Sequence, residues 1–84
     1  MQWDAGTARE FGDNIRTLRR AANLSQEALA HLAGITKNQV QLIEAGRGTG
    51  RENGPISNPR MKTLFGLASA LETSPAALLA RLNN

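Results

Sequence analysis

The chain has 84 residues, 40% of them hydrophobic, with a net charge of +3 and no cysteine. That length implies one domain, near the lower end of what folds without a covalent or metal staple. The absence of cysteine excludes a disulfide framework and a thiolate metal site, and the single histidine, His31, cannot build a metal cluster alone. No apolar run approaches the roughly 20 residues of a membrane span, and the opening MQWDAGTARE lacks the basic start and long apolar stretch of a signal peptide. A soluble, cytoplasmic chain without membrane association is expected.

Thr7-x-x-Glu10 is a capping-box signature, and Phe11, Ile15, Leu18 and Ala22 follow at helical spacing. They predict a first helix over 8–22, with Gly12 as a mild weakness and Asn23 as terminator. Ser25 can cap a second helix whose apolar members are Ala28, Leu29 and Leu32, with Gly34 just past its end. Thr36 and Gln39 form another capping box, and Gly46 closes the third helix. The stretch GRGTGRENGPIS is a loop by composition, with four glycines, a proline and no periodicity. Asn58-Pro59 then predicts a fourth helix striped by Met61, Leu64, Phe65, Ala68 and Leu71. Ser74-Pro75 repeats the start signal before Leu78, Leu79 and Leu82. The chain reads as all-α, with five short helices and one core.

The third helix divides its faces unusually. Val40 and Ile43 form a core-facing pair, whereas Asn38, Gln41 and Leu42 fall on the other side, with Lys37 beside them. Asparagine and glutamine can pair in bidentate fashion with adenine, lysine can donate to guanine, and an apolar side chain can meet the thymine methyl group. Charge points the same way. Acidic and basic side chains cancel over 1–46 and again over 63–84, so the whole excess lies in 47–62, on Arg47, Arg51, Arg60 and Lys62 against Glu52. A localised positive segment is the electrostatic footprint of nucleic-acid binding. Both features also have a plainer reading, as a leucine packed on a neighbouring helix or singly exposed, and a solvated loop.

The second and third helices are joined by about four residues centred on Gly34, the spacing of a helix-turn-helix. LSQEALAHLAGITKNQVQLIEAG resembles the helix-turn-helix of the phage Cro and repressor type, the xenobiotic-response-element family. The residues that carry the likeness are Leu24, Ser25, Gln26, Ala30, Gly34, Val40, Ile43, Glu44 and Gly46. The resemblance extends over about 11–82 and implies a five-helix, lambda-repressor-like DNA-binding domain. Residues 1–10 would form an arm and the start of helix 1, helix 2 would span about 26–33, the recognition helix about 37–45, and the basic loop 46–57.

That resemblance also implies roles. Base contacts fall to Thr36, Lys37, Asn38 and Leu42, to which the polar face adds Gln41. Gln26 matches a phosphate-touching position whose usual glutamine partner in helix 3 is here Lys37. Arg19 and Glu44 match an ion pair between helices 1 and 3. Arg47, Arg51, Arg60 and Lys62 become candidates for the DNA backbone, in a loop longer than the family's usual one. The other helix 1 arginines, Arg9, Arg16 and Arg20, share an outer face with Asp13 and read as solvated local pairs. Leu78, Leu79 and Leu82 are the candidate homodimer contact, although they could equally close the monomer core. Trp3, the only tryptophan, sits in the arm, where it could cover a core edge, reach a partner subunit or be disordered.

The expected function is a sequence-specific, dimeric transcriptional regulator on an inverted-repeat operator. The alternative is an antitoxin or adaptor that binds a protein partner, such as a toxin or another regulator. Glu27 and His31 lie at i, i+4, but nothing supplies a nucleophile, a metal or a group to orient the histidine. No catalytic residue, metal or cofactor is expected.

Overall fold

A computed structural model describes residues 2–49 and 54–80. Helices α1 (Ala5–Ala21), α2 (Gln26–Ala33), α3 (Lys37–Glu44), α4 (Met61–Ala70) and α5 (Pro75–Leu79) follow one another. No strand occurs among the described residues, only an isolated antiparallel bridge between Arg47 and Ile56.

The first helix begins three residues before its predicted start. Asp4 is the N-cap, its carboxylate accepting the Thr7 amide at 2.9 Å, so Thr7 lies inside the helix rather than capping it. Asparagine, aspartate and threonine all make good caps, and the earlier one wins because the extra turn buries Thr7 and Ala8. That turn lies against Gly46, where a Cβ would stand 3.1 Å from the Arg9 backbone. Helix α4 starts later than Asn58-Pro59 predicts. Arg60 is its N-cap, and residues 58–60 remain outside the helix.

Helix α2 packs on both α3 and α4, α1 packs on α3, and α5 closes against α1 and α4. Phe11, Ile15, Leu29, Val40, Ile43, Leu67 and Leu78 meet in one core. Each such side chain contributes roughly 1.5–3 kcal/mol by leaving water. Two close helix crossings use glycine. A Cβ on Gly12 would stand 2.3 Å from the Ile43 carbonyl oxygen, and one on Gly66 2.4 Å from that of Ala33. Gly12 is therefore the seat of the α1–α3 contact, not merely a weak helix former.

The α4 crossing also rotates its apolar stripe away from the predicted one. Leu67 is fully buried, while Met61 and Phe65 are 66% and 55% exposed. Leu32 likewise faces outward, leaving Leu29 and Ala30 as the buried residues of α2.

Candidate nucleic-acid interface

The turn between α2 and α3 is fixed by backbone chemistry that its sequence specifies. Ser25 caps α2 by accepting the Ala28 amide at 3.0 Å. At the other end Gly34 adopts φ 75°, while the Ile35 amide donates to the Ala30 carbonyl at 3.0 Å and the Gly34 amide to that of His31 at 3.3 Å. This is a Schellman ending, whose left-handed residue glycine adopts without steric cost. Thr36 then starts α3 with both halves of a capping box: Thr36 Oγ1 accepts the Gln39 amide at 3.1 Å, and Gln39 Oε1 accepts the Thr36 amide at 2.9 Å.

With α3 fixed at its start, its outer face presents Lys37, Asn38 and Gln41. All three are exposed, and none has a side-chain hydrogen bond or ion pair among the described residues. Thr36 is exposed too, but its hydroxyl serves the cap. Leu42 is half-buried rather than fully wet, because it turns into the wall of a neighbouring basin.

The far end of α3 is held by Glu44, which is 1% exposed. Arg19 Nε donates to its Oε2 at 2.6 Å, and Arg19 Nη2 to its Oε1 at 3.1 Å. This bidentate fork is the ion pair anticipated between helices 1 and 3. Gln26 Nε2 also donates to Oε1, at 3.1 Å. Arg16 was missed as a member of this cluster. Besides pairing with Asp13 at 3.7 Å, it lies 3.5 Å from Glu44 Oε1 and donates to the Glu44 backbone carbonyl at 3.2 Å. No i, i+4 rule within α1 reveals that contact, since it depends on the Gly12 crossing. Burial by itself pushes the Glu44 carboxyl up, but the donors from Arg19, Gln26 and Arg16 outweigh it and hold the group below the usual carboxylate range. The Arg19 guanidinium is raised in turn by the same bond. Gln26, placed by sequence at a phosphate, thus spends one amide hydrogen bracing the carboxylate at the end of α3.

Beside α3 opens a basin of about 1030 Å³, between Leu42, the loop after α3 and the start of α4. Arg47, Arg60 and Lys62 line it and are exposed. Three of the four predicted backbone-contacting cations therefore share one concavity, and Arg51 lies outside the described residues. The loop stem is ordered by backbone pairing, with the Gly48 amide donating to the Pro55 carbonyl at 2.7 Å and the Ser57 amide to that of Gly46 at 3.0 Å.

Of the candidate dimer leucines, the structure removes Leu78. Leu78 is 1% exposed and belongs to the monomer core, because α5 closes over α1 and α4. Leu79 is half-buried against the same core, and Leu82 lies outside the described residues. Large apolar surface stays exposed instead on α4, at Met61 and Phe65.

A family described as a helix-turn-helix domain matches residues 10–82. The chain belongs to that helix-turn-helix family. It is 35% identical over 71 residues to control protein C.SmaI of Serratia marcescens, covering 84% of this chain and 74% of that one. The crystal structure of the restriction-modification controller protein C.AhdI from Aeromonas hydrophila is similar at 34% identity and a TM-score of 0.72, over 84% of this chain and 94% of that one. A SinR/SinI protein complex also contains a similar chain, at 27% identity and a TM-score of 0.70, over 84% of this chain and 61% of that one. This helix-turn-helix protein is a sequence-specific DNA-binding transcriptional regulator of the Cro and repressor type.

Proposed function

We propose that the protein acts in the cytoplasm as a homodimer on an inverted-repeat operator, as the controller of a restriction–modification system. In this reading α3 enters the major groove, with Lys37, Asn38, Gln41 and Leu42 at base edges and Thr36 at the rim. Arg47, Arg60 and Lys62 neutralise phosphates in the basin, and Gln26 meets the backbone with its remaining donor. The observation that carries this reading is the row of unpartnered polar side chains on a helix pinned at both ends. A helix already formed and pinned loses little backbone freedom on binding. A helix of eight residues is only about 12 Å long, which covers few base pairs. A second copy is needed for a usefully specific site.

Met61 and Phe65 replace Leu78 as the proposed contact between copies. A second reading is that this face binds a different protein, favoured by the likeness to a chain in the SinR/SinI complex. Selection of duplexes from a random pool separates the two. Enrichment of an inverted repeat is expected, and Asn38→Ala should lose on the order of 1–3 kcal/mol of discrimination at one base position. Absence of an enriched motif, or indifference to Asn38→Ala, would leave α3 without a base-reading role and favour the protein-partner reading.

A further inference from the structure

We infer that Trp3 is a positioning residue for the DNA-backbone basin, acting through the loop stem that follows α3. The inference rests on the DNA-binding reading above and adds a component that lies well outside the helix-turn-helix. Trp3 stands before α1, yet its indole Nε1 donates to the Ser57 carbonyl oxygen at 2.7 Å, across 54 positions of sequence. The ring meets Phe11 edge-on, with centroids 5.7 Å apart and planes at 66°. It roofs a small cleft of about 160 Å³ between Phe11, Pro59, Leu64 and Leu79.

Ser57 is where this bond matters. The residue is 3% exposed, and its amide is already committed to the Gly46 carbonyl at 3.0 Å. Its own carbonyl would be buried without a donor, a costly condition, and the indole N–H, which can only donate, fills that need. The returning segment of the stem is thus held on one side by Gly46 and on the other by Trp3. Arg47 stands on the outgoing segment, bridged to Ile56, while Arg60 and Lys62 follow Ser57 within five residues. The strap therefore fixes the separation of the cations across the basin. A stem already in place spares the backbone that carries these cations from being reordered at the moment of binding.

Trp3→Phe keeps an aromatic ring against Phe11 and removes the N–H. Leu79→Ala trims the same cleft without touching the stem, and controls for general loss of stability. Affinity for the duplex selected by the wild type is followed against KCl concentration, and amide exchange at Gly48 and Ser57 is measured without DNA. Trp3→Phe should bind about fivefold more weakly, the worth of one intramolecular hydrogen bond. Its log–log salt slope should be shallower by about 0.9, one phosphate contact, and both amides should exchange faster. Leu79→Ala should keep the wild-type slope.

A Trp3→Phe protein with wild-type slope and wild-type amide protection overturns the inference while leaving DNA binding intact. A wild type that enriches no duplex overturns the DNA reading and this inference with it. Should Trp3→Phe fail to fold, the wild-type indole proton decides. Slow exchange and a shift on adding duplex are expected, whereas exchange at the rate of a free indole refutes the strap.

Discussion

Glu44 joins α1 and α2 to α3 through a single side chain. Its carboxylate is withdrawn from water and bound by donors from α1 and α2, so its loss strands the Arg19 guanidinium, itself 9% exposed. Removing one member of a buried ion pair costs about 3–5 kcal/mol, a large share of the 5–15 kcal/mol that holds an ordinary domain together. Glu44→Ala is expected to lower the urea midpoint accordingly. Replacing both charges, as Arg19→Met with Glu44→Leu, should recover most of the loss, because packed apolar pairs often match buried ionic ones. Gln26 and Arg16 are half-exposed and can turn to water in the double variant. Urea unfolding of Arg19→Met, Glu44→Leu and the double closes the cycle, and a double no more stable than Glu44→Leu would refute the pairing argument.

At the scale of helices, glycine decides how closely they approach. Alanine in place of a helical glycine ordinarily gains up to about 1 kcal/mol. At Gly12 a Cβ would meet backbone oxygens of α3 at 2.3 and 2.7 Å, and backbone cannot rotate away as a flexible side chain can. Overpacking of that kind costs typically 1–3 kcal/mol, so Gly12→Ala is expected to lower the melting temperature, and a rise would show that α1 slides freely on α3. Local chemistry made much of this architecture legible in the sequence. Ser25, Gly34, Thr36 with Gln39, and Ser74 before Pro75 each occupy the cap position their residue types predict, because capping is settled within four residues. Long-range contacts were not legible. The late start of α4 and the outward turn of Met61 and Phe65 depend respectively on the segment joined to Trp3 and on Gly66. Arg16 illustrates the same limit within the site, since its acceptor lies 28 positions away.

The described residues measure 29 × 26 × 21 Å, less than the roughly 34 Å between successive faces of a major groove. One copy can sit on one half-site only. Dimerisation through α4 is expected to depend on the exposed ring of Phe65, so Phe65→Gln should shift sedimentation equilibrium toward monomer and weaken binding to a two-half-site duplex more than to a half-site. Unchanged self-association would move the contact to another face. A different consequence follows from the unpartnered row on α3. Lys37, Asn38 and Gln41 support nothing else among the described residues, so exchanging them carries little penalty in folding. On the proposed reading, address and scaffold are separable: related chains would diverge to new operators by altering three side chains, and two regulators of this build would share one cell without answering to each other's promoters.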